Sequence, residues 1–166
     1  MTSSGSPRLR IGQGFDVHPF GDDPRRPLVL GGVVVPGAPG LVGHSDADAL
    51  AHALADALLG AAVLGDLGRH FPDSDPAFAG ADSLGLLAEV VRRASETGLH
   101  ALNADLTVVA ERPRLGPYTD AMAANLAAVV DAPVNVKATR AEGLGTIGRA
   151  EGIACLAVVL MASERA

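Results

Sequence analysis

Apolar residues recur at helical spacing along residues 50–61, where Leu50, Ala53, Leu54, Ala57, Leu58 and Ala61 form one stripe. Ser45 suits the N-cap of that helix, with Asp48 as its capping-box partner. A start there puts Asp48, His52 and Asp56 at i, i+4 and i+8, as one polar ridge. Upstream, residues 8–18 read as a strand in which Gly12 and Gly14 mark a bulge or a close backbone approach, and Asp16 and His18 share a face. Residues 28–35 form two short apolar runs about Gly31 and Gly32, the pairing that a primed hairpin turn favours. Downstream, the Gly-, Pro- and Asp-rich run 65–76 reads as a loop, and a helix over about 82–97 ends at Gly98. A strand over 99–110 and a helix over 117–130, stopped before Pro133, follow. Residues 134–139 alternate as a short strand, 143–149 form a glycine-rich loop, and the apolar run 153–161 reads as a final strand buried on both faces. This order predicts an α/β fold of the α+β sandwich kind, in one domain. Helices cover one face of a mixed four-stranded main sheet, with a small N-terminal hairpin beside it.

Composition narrows the classes. The 166 residues suffice for one self-supporting core. With 48% hydrophobic but only 3% aromatic residues, packing must rely on small aliphatic side chains, and the apolar surplus favours an oligomer. A formal net charge of -6 opposes a nucleic-acid backbone as partner. Residues 1–8 read as a disordered tail ahead of a domain spanning 9–162, with no secretory h-region. No apolar run is long enough to span a membrane, and Cys155, the single cysteine, fits a reducing compartment, so a cytoplasmic location is expected.

The chemistry gathers on three residues. Asp16 and His18 at i, i+2 on a strand can share a cation, and His52 on the helix offers a third ligand. Two imidazoles and a carboxylate with an open fourth position are how catalytic zinc is held. Each part alone has a plainer reading, a strand-end turn for Asp16 and a hydrogen-bonded helix side chain for His52; together they point to metal. Asp48 or Asp56 could orient an imidazole through its second nitrogen. His44, just before the first helical turn, is placed for an anion such as phosphate. Lys137 reads as a strand residue satisfying a nearby carboxylate, Cys155 as packing, and His70 and His100 have no partner in the pattern.

At these residues the chain resembles a known family. I-G-x-G-F-D-V-H (11–18), L-x-G-H-S-D-x-D-x-x-x-H-A-L-x-D-A-L-L-G (41–60), L-G-D-L-G-x-x-F-P-D-S-D-P (64–76), V-N-V-K-A-T (134–139) and G-R-A-E-G-I-A-C (148–155) are similar to the 2-C-methyl-D-erythritol 2,4-cyclodiphosphate synthases of the non-mevalonate isoprenoid route. The likeness is to the form without a fused cytidylyltransferase domain. It implies a chorismate-mutase-like homotrimer with interfacial active sites, converting 4-diphosphocytidyl-2-C-methyl-D-erythritol 2-phosphate to the cyclodiphosphate and CMP. It places zinc on Asp16, His18 and His52, and the 2-phosphate end of the substrate on His44 and Ser45. Asp66, Leu67 and Gly68, with Phe71, Pro72, Asp73, Ser74 and Asp75, match a flexible loop over the methylerythritol. Ala110, Glu111, Arg112, Pro113, Arg114, Leu115 and Gly116 match the segment that clasps the cytosine, with Arg114 where the family usually has lysine. Thr139, Arg140, Ala141 and Glu142 fall at the diphosphate, Glu142 with a second divalent ion, Mg2+ or Mn2+, and Arg149 counts among the substrate-binding residues. His44 and Arg140 are the candidate catalytic residues.

Arg140 and Ala141 depart from the usual threonines of that position. A guanidinium there either replaces a neutral hydrogen bond to phosphate with a bidentate pair or is too long to enter the site. Two other functions use the same residues: a zinc-dependent phosphohydrolase, for which no H-E-x-x-H pattern is present, and a non-catalytic binder of a phosphorylated ligand.

Overall fold

The computed structural model describes residues 8–163, so residues 1–7 of the expected tail lie outside the described residues. In chain order it holds β1 (Leu9–Pro19), β2 (Leu28–Leu30), β3 (Val33–Val35), α1 (Ala49–Ala61), α2 (Leu67–His70), α3 (Ser83–Glu96), β4 (Leu99–Val109), α4 (Thr119–Val130), β5 (Val134–Thr139), α5 (Gly145–Gly148) and β6 (Gly152–Ser163). The main sheet has four strands in the order β1-β6-β4-β5, with β6 antiparallel to both neighbours and β4 parallel to β5. β2 and β3 form the separate hairpin, turning through Gly31 and Gly32 at φ 55° and 69°. The parallel β4–β5 pair needs a crossover, which α4 supplies. Helices α1, α3 and α4 pack over one sheet face, as the order of patterns predicts.

The β1–β6 register runs unbroken from Leu9 to Pro19, so Gly12 and Gly14 mark no bulge. They mark a close approach. A Cβ on Gly14 would stand 1.9 Å from the Ala53 carbonyl oxygen, and one on Gly12 would stand 1.8 Å from that of Ala57. Helix α1 therefore lies directly on β1, its small residues Ala53 and Ala57 against the strand backbone.

The start of α1 corrects the sequence reading. Its N-cap is Asp48, not Ser45, and Asp48 is fully buried. Its carboxylate accepts from Leu50 N–H and Ala51 N–H at 3.1 Å, and from the hairpin glycines Gly31 and Gly32 at 2.8 and 2.7 Å. Either residue could cap the helix; the hairpin N–H groups decide for Asp48. Of the Asp48–His52–Asp56 row, Asp48 is interior and Asp56 accepts from Leu67 N–H at 2.7 Å.

The run 65–76 is more ordered than a plain loop. Asp66 caps α2 and Asp75 caps a 3-10 turn at Pro76–Phe78, because a short aspartate can accept the N–H groups that open each turn. Phe71 is buried edge-on against Phe78, with ring centroids 5.2 Å apart. The glycine-rich stretch likewise contains the single turn α5, and a 3-10 turn at Gly116–Tyr118 leads into α4.

The last strand is apolar throughout but not buried on both faces. Ile153, Cys155, Ala157, Val159 and Met161 face the core, whereas Leu156 and Val158 are 41% and 48% exposed. Ile11, Phe15 and Val17 of β1 are exposed as well. The helices cover one sheet face only, and within the described residues nothing covers the other. Lys137 meets Asp105 across β4 and β5, and Cys155 is fully buried, as their patterns suggest.

Replacing Gly14 by Ala should destabilise the protein by about 3 kcal/mol, since the clash is with backbone and neither element can yield locally. Gly116→Ala, with nothing within 4 Å of the added carbon, should shift stability by less than about 0.5 kcal/mol in the same urea titration.

Candidate active site

The strand–helix contact brings Asp16, His18 and His52 together. Asp16 Oδ2 lies 3.0 Å from His18 Nε2 and 3.1 Å from His52 Nδ1. One ligand atom from each of the three lies within 4.8 Å of the others, and among the described residues this is the one such group of three or more His, Cys, Asp or Glu. His52 Nδ1 is within hydrogen-bond reach of Asp16 Oδ2, whereas His18 Nε2 is buried without a hydrogen-bond partner. Its other nitrogen, Nδ1, donates to the Val42 carbonyl at 2.6 Å, which leaves the lone pair on Nε2. An orphaned imidazole lone pair beside a second imidazole and a carboxylate suits a borderline cation such as zinc.

Burial pushes the Asp16 carboxyl up, but the imidazoles of His18 and His52 outweigh it and hold the group far below the ordinary carboxylate range. The adjacent Asp16 carboxylate raises His18 above the usual imidazole value, against the opposing effect of burial. Glycine at 43 lets the preceding loop reach the ring, because a Cβ there would stand 3.2 Å from His18 Cε1.

A cleft of about 260 Å³ opens on this centre. His44 and Ser45 form its lip, and Leu67, Gly68, Phe71 and Asp73 from the 65–76 segment form a wall. His44 Nε2 is within 3.2 Å of the Asp75 carbonyl, which ties lip to wall. The N–H groups of Leu50 and Ala51 at the start of α1 are taken by Asp48 and so are not open to an anion at His44. Asp66, Pro72, Ser74 and Asp75 do not line this cleft, and Asp66 and Asp75 serve as caps. Phe78 and Leu86, which no sequence motif marks, complete the apolar wall.

A second cavity, of about 690 Å³, lies between the residues after β4 and the end of β5. Ala110, Glu111, Arg112, Pro113, Arg114, Leu115 and Gly116 line it with Thr139 and Arg140. Arg140 donates to Glu111 Oε1 from Nε at 3.1 Å and from Nη2 at 2.5 Å, and Nη1 keeps no hydrogen-bond partner among the described residues. Glu142 sits at φ 52° on the turn just beyond, outside any ligand group among the described residues. Arg149 is exposed and donates to Glu151 at 2.6 Å. The two cavities lie at the same end of the sheet but at opposite edges, β1 and β5. Three strand spacings separate those edges, roughly 14 Å.

The expected orienting carboxylates are elsewhere. Asp48 is committed to backbone N–H groups and Asp56 to Leu67, so neither touches an imidazole's second nitrogen. His52 Nε2 instead meets the hydroxyls of Ser83 and Ser45, at 2.9 and 3.1 Å. Ser83 comes from α3, 31 residues away, with no sequence pattern joining it to His52. His70, which had no partner in the sequence pattern, lies within hydrogen-bond reach of the Leu64 carbonyl and Arg93 behind the cleft wall.

Comparison with known proteins agrees with this arrangement. The sequence model of the YgbB family matches residues 9–162. A protein of Laribacter hongkongensis named 2-C-methyl-D-erythritol 2,4-cyclodiphosphate synthase is 58% identical over 159 residues, covering 94% of this chain and 97% of that protein. Among solved structures, the bifunctional IspDF of Campylobacter jejuni superimposes with a TM-score of 0.92 at 44% identity, over 98% of this chain and 44% of the longer protein. The CDP complex of Plasmodium falciparum IspF matches with a TM-score of 0.82 at 28% identity, over 97% of this chain and all of that one. A match over the whole sheet, the Asp-His-His centre and both cavities places this chain in the YgbB family, that of the 2-C-methyl-D-erythritol 2,4-cyclodiphosphate synthases.

Proposed function

We propose that this chain cyclises 4-diphosphocytidyl-2-C-methyl-D-erythritol 2-phosphate to 2-C-methyl-D-erythritol 2,4-cyclodiphosphate, with CMP as the second product. The observation that carries the reading is the convergence of Asp16, His18 and His52 in a walled cleft, in a chain of this family. A 2-phosphate oxygen forms a bond to the β-phosphorus, the bond from that phosphorus to the bridging oxygen breaks, and the electron pair leaves on CMP. No water enters the balance. Both reacting groups are anionic, so the protein must bring them together and offset their repulsion.

The residues divide that task. Asp16, His18 and His52 would hold Zn2+, and Glu142 would join a second divalent cation, Mg2+ or Mn2+, at the diphosphate; when bound, these ions polarise phosphoryl oxygens and offset negative charge. His44 and Ser45 at the lip receive the 2-phosphate end. Arg26, whose guanidinium donates to the Ser45 carbonyl, adds a fixed positive charge beneath that lip. Leu67, Phe71 and Phe78 keep water from the reacting phosphorus, which favours cyclisation over hydrolysis. Residues 110–116 hold the cytosine, and Thr139 with Arg140 the diphosphate. Glu111 fixes Nε and Nη2 of Arg140, so Nη1 remains for a phosphoryl oxygen.

The working form is a homotrimer. The outer faces of β1 and β6 expose Ile11, Phe15, Val17, Leu156 and Val158, an apolar strip that favours association. A nucleotide pocket at the far edge of the sheet from the metal centre fits a site completed by a neighbouring subunit. The single domain spans residues 9–162.

Incubation of the zinc-loaded protein with the cytidyl substrate should release CMP and a cyclic diphosphate in equal amounts, read by phosphorus NMR. CMP with an open-chain phosphate would instead identify a hydrolase, and binding without turnover a carrier.

His52→Ala and Asp16→Ala should each lose the one zinc ion per chain and nearly all activity, with the far-ultraviolet circular dichroism unchanged. Retained zinc would show that other residues hold the ion.

Arg140→Ala should lower kcat roughly a hundredfold, the loss typical of one transition-state donor, with stability barely changed. Parental kinetics in both Arg140→Ala and Arg140→Thr would remove Arg140 from the reaction.

Sedimentation equilibrium should give a trimer for the parent and a monomer for Phe15→Glu, and that monomer should keep its zinc while losing turnover. A monomeric parent at micromolar concentration would contradict the interfacial site.

A further inference from the structure

The side of His52 that faces away from Asp16 is built with unusual completeness. Its Nε2 is 2.9 Å from the Ser83 hydroxyl and 3.1 Å from that of Ser45. Ser83 is 1% exposed, its hydroxyl meets Asp46 Oδ1, and its backbone N–H donates to Asp46 Oδ2 at 3.2 Å. Asp46 is held in turn: Asp48 N–H donates to it at 3.2 Å, and its own N–H donates to the Ala81 carbonyl at 3.1 Å. The N-cap of α3 is Asp82, so the Ser83 hydroxyl is not needed to start that helix.

Counting protons fixes the direction of the chain. A carboxylate only accepts, so the Ser83 proton goes to Asp46 and the Ser83 oxygen is left as an acceptor. The Ser45 oxygen already accepts from Ala47 N–H at 3.1 Å, and its own proton can go to Ser83, 3.3 Å away. Nδ1 of His52 is itself 3.1 Å from the Asp16 carboxylate, so hydrogen bonds alone leave both tautomers open; a metal on Asp16, His18 and His52 requires the Nδ1 lone pair, and the Ser83 oxygen is then the acceptor for the Nε2 proton. His18 reaches the same state through the neutral Val42 carbonyl. For His52 the acceptor is backed by a full negative charge two bonds away.

We propose that Asp46 and Ser83 are positioning residues for the metal centre: through the Asp46–Ser83–His52 chain they set the His52 tautomer and ring orientation, and thereby the metal affinity. The inference rests on reading Asp16, His18 and His52 as metal ligands. Asp46 and Ser83 touch neither the metal position nor the cleft.

The test titrates metal-free parent, Ser83→Ala, Asp46→Asn, the double variant and His52→Ala with zinc against a chromophoric chelator, and records the visible spectrum of each with cobalt(II). Circular dichroism confirms folding. Ser83→Ala should bind zinc roughly ten- to hundredfold more weakly and shift the cobalt bands, because the ring loses its fixed orientation. Asp46→Asn should weaken binding in the same direction, and the double variant should be no weaker than Ser83→Ala, since Asp46 acts through Ser83. If Ser83→Ala does not fold, Asp46→Asn decides: weakened zinc with shifted cobalt bands supports the chain, and parental values overturn it. Parental affinity and spectrum in folded Ser83→Ala, with binding abolished in His52→Ala, would overturn the chain alone. Zinc retained by His52→Ala would overturn the metal centre and this proposal together.

Discussion

A carboxylate can be taken wholly out of water only where hydrogen bonds replace its hydration, and Asp48 meets that condition with four backbone N–H groups. Burial pushes its carboxyl up while the Gly32, Ala51 and Gly31 amides pull it down. Two of the four donors belong to the β2–β3 hairpin and two to the first turn of α1, so one side chain ties the hairpin to the start of the helix. The glycines at 31 and 32 adopt positive φ at little cost and turn both amides inward. With its first turn fixed, α1 carries His52 to a set height above the sheet.

The second constraint is the missing Cβ at 12 and 14. Ordinary side chains there would lift α1 off β1 and carry His52 away from Asp16 and His18. The ligands thus stand on a rigid strand and a rigid helix, where a site can be held to a fraction of an ångström. The segments that shape the cleft, residues 44–46 and 65–78, are tied to this frame by side-chain caps and by the Phe71–Phe78 contact. Arg93 stacks on Phe71 from behind, 5.1 Å from the ring centroid.

An acidic protein that handles an anionic substrate must supply positive charge locally. Here it comes from Arg26 beneath the lip, Arg140 at the far cavity and whatever cation Asp16, His18 and His52 hold, while the overall charge of -6 governs solubility and unspecific contacts instead. The two cavities lie at opposite edges of the sheet, and an exposed apolar strip runs along the outer face of β1 and β6.

The sequence by itself determined the features whose cause is local. Strand and helix periods, the Gly31–Gly32 turn, the stop before Pro133 and the shared face of Asp16 and His18 each depend on residues a few positions apart. The Asp16–His18–His52 group was legible for that reason, once two short patterns were read together. Tertiary structure decided whatever depends on a distant partner. Ser45 and Asp48 are equally good caps by type, and the choice fell to the hairpin amides some sixteen residues away along the chain. Ser83 carries no sign in its own neighbourhood that it faces His52. The apolar pattern of β6 suggests burial on both faces, but hydrophobicity is non-directional, and it took the tertiary structure to show that the helices cover one face and leave Leu156 and Val158 exposed on the other.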